Sequence, residues 1–337
     1  MTASDSATYR PRAVAWLFLC LALLSGCAGL RQSDALLRAR DAGLPGKAEV
    51  AGVPFIAQEE NQCGPAALGM ALKAAGLDIS QDTLTEELYI PARSGSLQVE
   101  MLAAARRHGM LAYALEPELN SVLTEIASGN TVIVLQNLGL FAFRPYWHYA
   151  VVLGYDLERG EILLHTGKHA RRAISARLFE FTWKDGGRWA MVALPPGRIP
   201  ASAGETGLER AAAALEQTGR IAEAGLAYDA MLRRWPENFV ALMGRGTTAY
   251  ARGRLTLAES AFRTAAQRHP FAGAAFNNLA QTLADQGKWD AALAAAREAV
   301  RLSGPSLEAA KSTLQDILAA SQRATSGRQQ ALPAGMR

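Results

Sequence analysis

Gly219, Gly253 and Gly287 stand 34 residues apart, and other positions keep the same interval: Pro236 with Pro270, Ala224 with Ala258 and Ala292, and Tyr228 with Phe262 and Ala296. Pro305 falls one residue late. A fixed period of this length marks a stacked repeat array, in which each unit buries its apolar face only against its neighbours. Three units fit residues 205–306, about the minimum for stability, and Leu307 to Ala320 supplies a capping helix. Residues 321–337 read as a disordered tail. The proline- and glycine-rich stretch 196–204 reads as a linker, so the repeats are expected to form a domain separate from what precedes them.

The chain of 337 residues is long enough for two domains, and half of it is apolar. Its formal charge of +4 is spread out, with no basic stripe interleaved with aromatics, which argues against a nucleic-acid partner. Of three cysteines, Cys20 and Cys27 lie in or beside an N-terminal apolar segment. Only Cys63 remains in the body, so no internal disulfide framework is available.

Cys63-Gly64-Pro65 is followed by apolar residues at helical spacing: Leu68, Met70, Ala71, Leu72 and Ala75. Pro65 suits a first helical turn, because its missing N–H would have no partner there and its φ is already helical. The spacing predicts a thiol at a helix start, facing free N–H groups and the positive end of the dipole, both of which favour thiolate. Taken alone, a free cysteine is more often a small buried hydrophobe.

Around this motif the expected elements are a strand over Val50–Ile56 and helices from Cys63 to near Gly76, over Asp82–Tyr89, from a Ser96 cap through Arg106-Arg107-His108, and over Glu118–Ser128. Thr131–Leu135, Tyr149–Tyr155 and Glu161–His165 then read as strands, Ser175–Lys184 as a helix and Trp189–Leu194 as a last strand. Helices followed by an antiparallel sheet make an α+β layout.

Three resemblances add to this reading. Gln58, then Cys63-Gly64-Pro65-Ala66-Ala67-Leu68, then His148-Tyr149-Ala150-Val151-Val152-Leu153-Gly154-Tyr155 some 85 residues later, resemble cysteine peptidase family 39, papain-like enzymes best known for cutting bacteriocin leader peptides. The match spans roughly residues 50–195 and implies Cys63 as nucleophile, His148 as general base and Gln58 as oxyanion donor. Gln58 stands five residues before Cys63, so Gln62 or a backbone group is an alternative donor. The 34-residue units resemble the tetratricopeptide repeat, with two helices per unit. The implied fold is an α+β papain-like cysteine peptidase domain followed by an all-α tetratricopeptide-repeat domain.

At the N-terminus, Arg10 and Arg12 precede the apolar run Ala13–Leu24, which ends in Leu24-Ser25-Gly26-Cys27 and resembles the lipobox of bacterial lipoproteins. That resemblance implies a signal peptide over 1–26, lipidation of Cys27, a membrane spacer over 27–49 and, with Ala28 rather than Asp next, an outer-membrane location facing the periplasm.

A third catalytic residue is not evident. Asp156 lies eight strand residues from His148, roughly 26 Å away. A hairpin near Leu157-Glu158 would instead bring His165 to Lys168 beside His148, where there is no carboxylate, leaving Thr166, His165 or a backbone carbonyl to orient the imidazole. His165 and His169 are four apart, a metal-ligand spacing only on a helix, and here they fall on strand and turn. Neither metal nor cofactor is called for. Three functions fit: a lipid-anchored thiol peptidase whose repeats bind a protein partner, a peptide-gripping module that does not cut, and an amidase or transferase acting on cell-wall peptides.

Overall fold

The computed structural model describes residues 31–38, 43–59, 61–139, 145–302 and 304–331; the signal segment and Cys27 lie outside the described residues. Among the described residues seven strands form one antiparallel sheet: β1 (Lys47–Glu49), β2 (Leu111–Ala114), β3 (Val132–Asn137), β4 (Trp147–Asp156), β5 (Glu161–Thr166), β6 (His169–Ser175) and β7 (Ala190–Leu194). Their order is β2-β7-β3-β4-β5-β6, with β1 pairing the far half of β4.

Strand side chains alternate between faces, and here both faces are covered. Val132, Val134, Ala150, Val152 and Val192 enter one apolar core, while Ile133, Leu135, Tyr149, Val151 and Met191 enter the other. The second core is closed by α2 (Cys63–Ala74), α3 (Gln81–Leu88) and α4 (Gln98–Arg107). Burial on both sides explains why β3 and β4 read as continuous apolar runs. The first core takes α5 (Leu119–Ala127) and α6 (Ala176–Asp185), the latter capped by the Ser175 hydroxyl, which accepts from the Leu178 N–H.

The 34-residue periodicity builds three helix pairs: α7 (Glu205–Gln217) with α8 (Ile221–Arg234), α9 (Phe239–Ala251) with α10 (Leu255–Arg268), and α11 (Gly273–Asp285) with α12 (Trp289–Leu302). Gly219, Gly253 and Gly287 each turn the chain between paired helices at φ +77°, +70° and +72°, a region that only glycine enters freely. Ala224, Ala258 and Ala292 are fully buried where helices meet.

Several expectations are corrected. Val50–Ile56 is not a strand: Ala51 and Gly52 turn, Pro54 lacks a donor, and the pairing belongs to Lys47–Glu49 just upstream. Ser96 does not cap α4; Leu97 occupies the cap and the Ser96 hydroxyl is buried without a partner. The described part of the 27–49 spacer is packed against the domain, through β1 and through α1 (Arg31–Arg38). In the first turn of α1 the free N–H groups of Gln32 and Ser33 donate to the buried Glu180 carboxylate at 3.3 and 2.8 Å, which satisfies donors that a helix start leaves open. Asp34 pairs with Arg177 at 2.7 Å.

The linker 196–204 is also fastened. Ser202 donates through N–H and hydroxyl to the fully buried Glu125, Asn130 donates to the same carboxylate, and Arg198 donates to Asn130. Beyond it Leu208, Ala211, Ala212 and Leu215 of α7 join the core that contains Leu111, Tyr113 and Leu194 of β2 and β7. The two halves therefore share apolar interior rather than standing apart. The cap α13 runs Leu307–Ala331, eleven residues past the expected end at Ala320, because Ala, Gln and Arg in that stretch favour helix. Residues 332–337 of the expected tail lie outside the described residues.

Candidate active site

Cys63 is the first residue of α2, whose following residues Gly64 to Leu72 are all buried. Gln62 holds the N-cap position with no side-chain capping bond. Gly64 is required for tight packing, since a Cβ there would lie 2.5 Å from the Ser96 hydroxyl. Burial pushes the Cys63 thiol above its ordinary value, and backbone hydrogen bonds from Tyr149, Gly64 and Cys63 itself act in the opposite direction. The helix start does supply the stabilising N–H groups that its sequence implies, and desolvation outweighs them in the free protein.

His148 is the second residue of β4 and buried. It shares the strand parity of Ala150 and Val152, whereas Tyr149 and Val151 point to the core of the Cys63 helix. The two side chains thus come from opposite faces of the sheet, at the end where the cleft opens. Among the described residues no hydrogen bond joins Cys63 to His148, but both line one cleft of about 960 Å3. Gln58, buried, lines it too: its carboxamide oxygen accepts from the Gly167 N–H at 2.9 Å and its Nε2 donates to the Tyr149 carbonyl at 3.1 Å. One of its two amide hydrogens is left over for another acceptor.

The imidazole has an orienting partner. His148 Nε2 lies 2.9 Å from the Thr166 hydroxyl, which the β4–β5 hairpin carries alongside. With Thr166 accepting from Nε2–H, the other ring nitrogen keeps a free lone pair. Burial lowers the His148 pKa to about 4, so its imidazole is neutral at neutral pH. Tyr146 stacks over the ring, centroids 6.2 Å apart and planes within 14°. His165 is occupied elsewhere: its Nδ1 accepts from the Arg171 N–H and its Nε2 contacts the Val53 carbonyl. Among the described residues no group of three or more His, Cys, Asp or Glu side chains could hold a metal.

Several cleft residues escape the sequence reading. Asp185, at the exposed end of α6, lines the wall beside Gly186 and Gly187. A Cβ at Gly186 would strike the Leu135 carbonyl, so glycine lets α6 close on β3 there. Ser96 lines the cleft as well, its loop held by the Tyr149 hydroxyl donating to the Ser96 carbonyl at 3.2 Å. Tyr146 and Trp147 are detectable only as aromatics directly ahead of His148.

Residues 50–189 match the sequence model of the Peptidase_C39 like family, and residues 243–306 match that of the Tetratricopeptide repeat. Among solved structures, a protein described as a C39-like peptidase from Bacillus anthracis is 17% identical, with 44% of this chain and 97% of that one covered and a TM-score of 0.38. The first TPR of Spaghetti, bound to an HSP90 peptide, is 19% identical over 34% of this chain and 91% of that one, with a TM-score of 0.33. A type III secretion translocator chaperone from Yersinia enterocolitica is 18% identical over 34% and 83%, also at a TM-score of 0.33. Among curated proteins nothing matches.

Proposed function

For a chain that carries a C39-like peptidase domain ahead of tetratricopeptide repeats, we propose the function of a lipid-anchored thiol peptidase of the bacterial cell envelope. The observation that carries the reading is the gathering of Cys63, His148 and Gln58 around one cleft, with His148 Nε2 held by Thr166. In this scheme the neutral imidazole takes the Cys63 thiol proton as sulfur attacks a peptide carbonyl carbon. The oxyanion that forms accepts from the remaining Gln58 amide hydrogen and from the N–H groups at the start of α2. The imidazolium then protonates the leaving amine, and water hydrolyses the thioester to release the acyl product. The resting pair is neutral, so proton transfer accompanies attack.

Acyl chains on Cys27 would hold the body on the outer membrane, facing the periplasm, and the repeats would present their surface to a protein partner. Two observations favour a second reading, a cleft that grips peptide without cutting: burial disfavours both charged forms, and among the described residues no hydrogen bond joins Cys63 to His148. A mixture of synthetic peptides incubated with the full chain and read by mass spectrometry separates the two. Cleavage lost in Cys63→Ala supports the peptidase. Peptide binding without cleavage, unchanged in Cys63→Ala, supports the grip.

A further inference from the structure

Large apolar side chains left in water are unevenly distributed. Among the described residues five of the eleven, Leu138, Tyr146, Trp147, Leu178 and Phe181, fall on α6 or on the β3–β4 end that α6 packs against. Leu178 and Phe181 are three apart on one helical face, and one turn further on, Asp185 enters the cleft wall beside Tyr146 and Trp147. Exposed Lys184 flanks the stripe, with Arg172 on the neighbouring edge strand, while Arg177 beside it is paired with Asp34. An aromatic-rich apolar strip edged by Lys and Arg has the chemistry of an interfacial surface, apolar groups toward acyl chains and cations toward anionic headgroups.

The chain's own path selects the occupant. Ser33 and Gln32 dock on Glu180, so the polypeptide reaches α6 at the turn that carries Phe181. From Cys27 to Arg31 is four residues, which span at most about 14 Å when fully extended. Glu180 is on the buried side of α6, so an acyl anchor on Cys27 is held within that reach, plus about one helix width, of the exposed Leu178–Phe181 stripe. Among the described residues no helix is long and apolar enough to cross a membrane, so the contact would be superficial.

We infer that Leu178 and Phe181, with Tyr146 and Trp147 at the cleft rim, rest on the bilayer that holds the anchor, so that the cleft takes peptide presented at that membrane surface. The inference rests on the lipoprotein reading above. α1 is then the rigid arm that sets the orientation, not a flexible spacer.

The test uses full-length protein reconstituted into vesicles of phosphatidylethanolamine and phosphatidylglycerol carrying brominated acyl chains, with tryptophan emission as readout. Bromine should quench part of the emission, and Trp147→Phe should lose that component. The double variant L178E/F181E, altered only at exposed positions, should escape quenching while still floating with the vesicles and still carrying acyl chains by mass spectrometry. Acylated, floating protein with no quenching overturns the inference, as does quenching that survives L178E/F181E. If that variant stays quenched and instead loses peptide binding, the stripe belongs to the substrate. Wild type that neither floats nor carries an acyl chain overturns the lipoprotein reading, and the inference with it.

Discussion

Burial at Cys63 and His148 favours the uncharged form of each, and this has a measurable sign. The His148 pKa falls from its ordinary 6.5 to about 4 on folding. As pH drops from 6.5 to 4 the unfolded chain takes a proton that folded His148 refuses, so stability declines through that window by about 3 kcal/mol and levels off below it. Urea midpoints at pH 7 and pH 4.5 should therefore converge more closely in His148→Gln than in wild type, the other acid-sensitive groups being common to both. Cys63 alkylation in the free protein should climb as pH rises beyond 9, with no plateau in the acid range, because burial has raised the thiol. A fast, acid-stable alkylation would show instead a preformed ion pair. Thr166 is the third point: Thr166→Val leaves the buried Nε2 without its partner, a penalty of about 1–3 kcal/mol, and should lower kcat roughly 10- to 100-fold. Thr166→Ser should restore most of it, which a merely structural role for the methyl group would not allow.

Among elements, the repeat helices were the easiest to read, because a 34-residue period repeats the same demand three times. Tyr228 and Phe262 show what that demand is: a Cβ at Gly244 would strike the Tyr228 ring, and one at Gly246 the Phe262 ring. Gly246→Ala should cost about 1–3 kcal/mol through this overpacking, read as a lower midpoint of helix unfolding by circular dichroism. The strands β3 and β4 were also legible from their apolar runs. By contrast β6, with Arg171 and Arg172 on an exposed edge, carries no apolar alternation, and β1 holds only three residues. The site divides similarly. Cys63 and its helix were visible because Cys-Gly-Pro states a local conformation, and Thr166 could be named because strand arithmetic predicts what a hairpin brings back. Asp185 and Ser96 reach the cleft only through the packing of α6 and α4 on the sheet, and short-range pattern does not encode that.

The whole molecule departs most from a two-domain picture at the junction. Glu125 is fully buried and holds Ser202 and Asn130, Tyr113 contacts both Gly204 and Gly207, and α7 covers β2 with Leu208, Ala211 and Leu215. Removing residues 205–320 would therefore expose part of the peptidase-domain core. At about 25 cal/mol per Å2 of apolar surface, uncovering even 200 Å2 costs about 5 kcal/mol, comparable with the total stability of many domains. A fragment ending near residue 204 should consequently melt well below the full chain or aggregate. One retaining residues 205–235, which keeps α7 and α8, should recover most of the loss. In the intact protein, calorimetry should show the sheet and the first repeat unfolding in one transition, while the distal repeats, joined by nearest-neighbour contacts alone, can fray separately. A residue 31–204 fragment as stable as the full chain would overturn the shared core. The cooperative unit matters for function, because a partner seated on the proximal repeat would then press on the same core that supports β3, β4 and the Cys63–His148 cleft.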